Sequence, residues 1–301
     1  MAPAATSTAA PSATLLSSAE LSYLHTSLSI TPPIRPDARK PTQFRPLTAE
    51  LDILPSTHGS SRLIWPDGGE CIVGIKAEVE KTPVPPLSSE DVPSTTKPDQ
   101  RSWTEVSVEV SGARDDDPLV VLLASSVGDL LGQKLAGRLE IGERWHWKLY
   151  IDILLLTPPI SHPATLLSLA VHLALRVTNL PRLVSATDED PLFDDDWDAA
   201  LPLYPAGAAA VGDVPAITLL VAAVGDNVFF DPTREEMAVA DCVLSVSVDY
   251  DGRIVGLRTL ESGTVGEGGV KRKVIKRIVE QCGPVGKEVF ESLEAIVQSG
   301  F

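Results

Sequence analysis

A strict alternation of apolar and polar side chains over residues 70–80 limits what this chain can become more than any other feature. Cys71, Val73, Ile75, Ala77 and Val79 fall on one side and Lys76 and Glu78 on the other. Successive strand residues point to opposite faces, so the stretch predicts a strand with one buried face. Residues 105–110 repeat the pattern, with Val106, Val108 and Val110 against Glu105, Ser107 and Glu109. Residues 145–156 extend it, with Trp147, Leu149, Ile151 and Ile153 against His146, Lys148, Tyr150 and Asp152. Three half-buried strands predict an antiparallel or mixed sheet covered on one side.

Helical spacing separates them. Leu119, Leu122, Leu123, Val127, Leu130 and Leu131 form one apolar stripe, and Leu166, Leu167, Ala170, Leu173, Ala174 and Val177 another. The second has Pro163 in a first-turn position, with Ser161 or His162 as its cap. Four more strands follow, over residues 217–224, 228–231, 241–249 and 253–260, joined by the turn signals Gly225-Asp226-Asn227 and Asp249-Tyr250-Asp251-Gly252. Residues 270–281 and 285–298 then predict helix interrupted at Gly283-Pro284. The order predicts an α+β fold of two related lobes, mixed sheet packed against helices, and excludes a doubly wound nucleotide-binding sheet. The expected division is a tail over 1–18, a first lobe over 19–185 with an insertion at 81–101, an acidic then Pro- and Ala-rich connection over 186–214, and a second lobe over 215–301.

At 301 residues with 44% hydrophobic side chains the chain has material for a substantial core. Its most apolar stretch, residues 165–177, is broken by Ser168, His172 and Arg176, so no membrane partner is expected. The N-terminal residues lack a basic segment before an apolar core, which predicts a cytosolic or nuclear protein. Cys71, Cys242 and Cys282 are odd in number and without metal-ligand spacing, so buried free thiols are expected. A net charge of −16 makes the isolated chain a poor nucleic-acid binder and confines any RNA contact to a local basic patch or a channel shared with other chains.

Common catalytic signatures are missing: Gly-x-Ser-x-Gly, the Walker loop and His-Glu-x-x-His. No lysine-hydroxyl pair closes the glycines at 263, 266, 268 and 269, which read as a flexible hairpin. The five histidines show no metal-ligand spacing and are expected at the surface or in caps. Asp188, Glu189, Asp190, Asp194, Asp195, Asp196 and Asp198 read as a solvated loop rather than a metal site. Lys271, Arg272, Lys273, Lys276 and Arg277 form a basic helix face, with Val274, Ile275 and Ile278 turned inward.

Several segments carry a family likeness. Ile34-Arg35-Pro36-Asp37-Ala38-Arg39 resembles the Arg-x-Asp-Gly-Arg segment of the RNase PH family, with Ala38 in place of glycine. Residues 53–62 and 67–76 resemble its paired strands and turn, with Glu70-Cys71 at the start of the second. Residues 108–116, 150–154, 161–163, 179–185, 223–227 and 231–233 are similar to the subtype found in eukaryotic RNA exosome rings.

That resemblance implies a ring subunit supporting 3'-to-5' RNA processing. Its implied partners are other RNase-PH-like subunits, among them messenger-RNA transport regulator three, the exosome cap proteins, and RNA in the assembled channel. The implied location is nucleus, nucleolus and cytoplasm. Active relatives hold phosphate in a Gly-Gly-Ser-Arg-like segment before the second long helix, where this chain has Pro158-Pro159-Ile160-Ser161-His162-Pro163, without arginine or glycine. They also carry two aspartates six apart; Asp213 corresponds to the second, but Gly207 stands at the first. The expectation is therefore a non-catalytic subunit with no catalytic residue, metal or cofactor. A phosphorolytic exoribonuclease completed by a neighbouring chain, and an architectural protein without RNA contact, stay open. The candidate RNA-binding residues are Arg114, Lys271 and Lys273.

Overall fold

The computed structural model describes residues 16–82, 100–142, 144–185, 190–205, 214–261 and 271–299. The tail residues 1–15, the insertion residues 83–99, residues 186–189 and 206–213 of the connection, and the 263–269 glycines lie outside them.

The first lobe is a five-stranded sheet of β1 (Thr48–Leu51), β2 (Gly59–Ile64), β3 (Glu70–Lys81), β4 (Thr104–Val110) and β5 (Trp145–Thr157), ordered β1-β2-β3-β5-β4. All pairings are antiparallel except β4 with β5, because α2 (Pro118–Ala136) lies between those two strands and carries the chain back for a parallel return. The second lobe orders β8 (Ile217–Val224), β9 (Asn227–Phe230), β10 (Cys242–Val248) and β11 (Ile254–Glu261) as β11-β10-β8-β9, antiparallel throughout. Only the first sheet is mixed.

Every residue of α3 (Ala164–Arg176) is buried, because the helix packs on β2 and β3 of one sheet and β8 of the other. Its hydroxyls satisfy what such burial strands: Ser168 Oγ accepts from Thr218 N at 2.8 Å, and Thr165 Oγ1 from Leu220 N at 3.1 Å. The expected side-chain cap is absent from Ser161. Pro163 is the N-cap without a side-chain bond, and His162 Nδ1 accepts from Ala164 N at 3.2 Å. Gly59 stands where β2 meets α3. A Cβ there would lie 2.7 Å from Thr178 Cα and 2.8 Å from the Ala174 carbonyl oxygen. Gly59→Ala is expected to cost about 1–3 kcal/mol in thermal or urea unfolding, because besides the Thr178 hydroxyl it meets two backbone atoms that cannot swing aside.

Three sequence expectations need correction. The buried stripe of α2 is Val120, Leu123, Val127, Leu131 and Leu135, whereas Leu119 and Leu122 are exposed. His146 and His172 are buried rather than at the surface: His146 stacks on Trp103 at 4.4 Å, and His172 meets Phe290 edge-on at 5.3 Å. The C-terminal helix, α5 (Arg272–Ser299), runs unbroken through Pro284. One buried stripe, Val274, Ile278, Cys282, Val285, Phe290, Leu293 and Val297, continues across the proline, so packing outweighs one missing N–H.

Part of the connecting segment is held in place. β6 (Asn179–Leu180) pairs with β7 (Leu201–Pro202), and Phe193 covers Trp147 at 4.8 Å. Two shorter helices, α1 (Ser18–Ser29) and α4 (Arg234–Val239), both begin with capping boxes and pack together against the second lobe. The three thiols are free and buried, and burial pushes Cys71 and Cys282 up to about 12, which leaves them inert. Among the described residues no helix is long and apolar enough to cross a membrane.

Candidate functional site

The segment that begins at Arg35 threads between the lobes, and its arginines are consumed there. Arg35 donates to both Glu236 oxygens at 2.7 Å and to the carbonyls of Phe230 and Asp231. Arg39 reaches Asp231 Oδ2 at 2.8 Å. Arg45 donates to Asp231 at 2.6 and 2.9 Å, to Asp67 at 3.0 Å and to Ser161 Oγ at 3.0 Å, with its guanidinium 5.3 Å over the Trp65 ring. Ser161 Oγ in turn donates to Asp67 at 2.8 Å. Burial works against the Arg45 charge, yet Asp231 and Asp67 outweigh it and hold its pKa above the ordinary value. Asp231 takes φ +48°, a left-handed conformation that Asp tolerates better than most residues.

Ser161 belongs to the stretch at which the family resemblance places the phosphate cradle. Pro159 is pressed on Gly69, where a Cβ would meet Pro159 at 2.6 Å. The remaining cavity, lined by Arg45, Trp65, Pro159, Ser161 and Asp231 among others, is about 10 Å³. That is at the limit for one water and far below what a phosphate needs. Arg45, the centre of this cluster, is the residue that the sequence did not single out. It lies 116 positions from Ser161, and no local spacing signals their meeting. Its guanidinium is committed to two carboxylates, so it offers an incoming anion no free charge.

The predicted RNA contacts lie elsewhere and apart. Arg114, in the loop after β4, is 87% exposed and paired with Asp116 at 3.0 Å, so the accessible cation and the salt bridge are both present. Lys271 precedes α5 and Lys273 stands in its first turn, bridged to Asp226 of the β8–β9 turn at 3.2 Å. Arg277 donates to the Asp226 carbonyl at 2.7 Å. Val274 and Ile278 face inward as expected, but Ile275 is exposed. Arg114 and the lysines share no partner among the described residues, so the structure does not unite them in one site. Asp213 and Gly207 lie outside the described residues. Asp194 and Asp196 turn onto backbone amides at 3.1 Å, and among the described residues no group of three or more His, Cys, Asp or Glu is placed to hold a metal.

Comparison with known proteins adds what geometry alone does not. Over 284 residues, 93% of this chain and 98% of the relative, the sequence is 34% identical to exosome complex component RRP42 of Saccharomyces cerevisiae. The chain belongs to the Rrp42 family of RNase-PH-like exosome components. The Rrp42 relative of Schizosaccharomyces pombe is 31% identical, covering 82% of this chain and 83% of its own. Residues 215–281 match the 3' exoribonuclease family, domain 2, which covers most of the second lobe. An archaeal exosome core chain superimposes with a TM-score of 0.62 at 20% identity, over 92% of this chain and 96% of that one. A chain of the Archaeoglobus fulgidus exosome, solved with RNA bound to the active site, gives the same TM-score over 91% and 97%. These two likenesses show that this chain shares its fold with chains of archaeal exosome cores.

Proposed function

We propose that this chain is a non-catalytic subunit of an RNA exosome ring, one wall of a channel that guides RNA toward 3'-to-5' processing and turnover. The observation that carries this reading is Arg45, held by Asp67, Asp231 and Ser161 over Trp65, which seals the position where active relatives hold phosphate. Phosphorolysis needs that charge neutralisation before any bond breaks. The partners in this reading are RNase-PH-like subunits, messenger-RNA transport regulator three among them, with the cap proteins and RNA, in nucleus, nucleolus and cytoplasm. RNA contact falls to exposed cations: Arg114, and above all Lys271 and Lys273, which stand with Arg272, Lys276 and Arg277 as a basic group on an otherwise acidic chain.

The test is the reconstituted ring with oligoadenylate and phosphate. No nucleoside diphosphate release is expected from this subunit. Replacing Lys271 and Lys273 by Ala is expected to lower the slope of log affinity against log salt by about 1.4, two single-strand phosphate contacts. Phosphate-dependent release that disappears in Arg45→Met or Ser161→Ala would show a cradle completed by a neighbour. An unchanged salt slope would remove the lysines from the channel.

A further inference from the structure

β4 is the last strand of its sheet, and among the described residues its outer edge is unpaired. Ser111 N donates back to the Leu155 carbonyl at 3.0 Å. By the alternation of a parallel ladder, the N–H groups of Val106, Val108 and Val110 then point the other way, and among the described residues no backbone group meets them. Edge strands are normally blunted by proline, lysine or a bulge. β4 reads Thr-Glu-Val-Ser-Val-Glu-Val, with no proline, lysine or bulge, and its charged residues, Glu105 and Glu109, are both acidic. A cleft of about 720 Å³ runs between this edge and α2, roofed by Val121, Ala124 and Gly128.

Gly128 is the second observation. Glycine weakens a helix interior, and a Cβ at this position would meet nothing within 4 Å, so no contact among the described residues calls for it. Empty space in front of a mid-helix glycine fits the close approach of a backbone from outside. Charge narrows the visitor. Glu109 and Asp115 line the cleft, exposed and without an ion pair among the described residues. A second copy of a chain carrying −16 is repelled at long range. Residues 83–99 suit the cleft poorly as well, since they hold five prolines and set Glu90, Asp91 and Asp99 against Lys97 alone.

We infer that the β4 edge and the α2 cleft bind an extended, lysine- or arginine-bearing segment of another protein by strand addition. The visiting backbone pairs with Val106 and Val108. Its apolar side chains lie under Val121, and its cations meet Glu109 and Asp115. The inference does not depend on the ring reading.

The experiment uses the full chain with an acetylated and amidated peptide alternating Lys and Val over six residues, and two twins of identical charge, N-methylated at odd or at even amides. The unmodified peptide is expected to bind at least about tenfold more tightly than one twin and to slow amide exchange at Val106 and Val108. Gly128→Leu, which adds helix propensity while filling the cleft, is expected to weaken binding at least about tenfold without lowering the thermal midpoint. Glu109→Lys with Asp115→Lys, both at the surface, gives the same loss should Gly128→Leu fold poorly. Equal binding of all three peptides means charge attraction alone and overturns the proposal. So does unchanged binding to the variants, or no saturation up to about 1 mM.

Discussion

Glu236→Ala is expected to lower the unfolding free energy by about 3–5 kcal/mol, read from the urea midpoint at unchanged slope. Glu236 and the Arg35 side chain are both fully buried, and the pair is bidentate at 2.7 Å. Removing the carboxylate leaves a guanidinium in the interior with the carbonyls of Lys40, Phe230 and Asp231, and with the Asp37 carboxylate, itself paired with Arg39, no nearer than 3.8 Å. Those bonds remain, but they supply no countercharge. The same carboxylate accepts from Thr233 N at 2.8 Å, so the capping box of α4 is lost with it. A double replacement, Arg35→Met with Glu236→Leu, is expected to recover most of the loss, because it removes the stranded charge along with its partner. A single-variant loss under about 1 kcal/mol would show that water reaches Arg35 and that the pair does not fasten the lobes.

Acid lability is the second large effect. Burial, aided by the Arg176 guanidinium, pushes His172 down to about 4, with the Pro215 carbonyl working the other way. An unfolded histidine titrates near 6.5, so between these values the unfolded chain binds a proton that the native chain refuses. Stability therefore rises with pH across the window. The contribution is fully present above about 6.5 and is lost as pH falls toward 4, on the order of 3 kcal/mol in all and about 2 kcal/mol by pH 5. Burial also lowers His58, His146 and His162, which adds to the same trend. Urea unfolding at pH 7 and pH 5 measures it, and His172→Leu is expected to flatten the difference. An identical pH dependence in the variant would assign the effect elsewhere.

The two lobes were legible wherever a local period governs. The alternation at 70–80 and 145–156 became β3 and β5, and the Gly225 and Gly252 turns fell at positive φ as such hairpins require. What failed was long-range. His146 has the parity of an outward residue, yet the ring stacks on Trp103, a residue 43 positions away that no periodicity can place beside it. Leu119 and Leu122 are as apolar as Leu123, and only the position of β4 decides which of them is covered. Pro284 carries a local signal to stop, overridden by a stripe fixed by the second sheet. The arginine cluster around Ser161 was half legible. The prolines at 158, 159 and 163 marked that stretch as unlike the family's phosphate segment, but the arginine packed against it comes from residue 45 and its carboxylates from 67 and 231.

The Arg35–Glu236 pair also sets a clock. Its members are 201 residues apart, and a ribosome adds about 5–20 residues per second, so Arg35 is made roughly 10–40 s before its carboxylate. Through that interval the first lobe can pair its strands, while the arginine segment has nothing to close on and β8, the strand that covers the far side of α3, arrives late. β8 is complete only 48 residues after α3, so the nascent chain exposes one face of its most buried helix for roughly 2–10 s, an interval in which that face is open to a ribosome-bound chaperone.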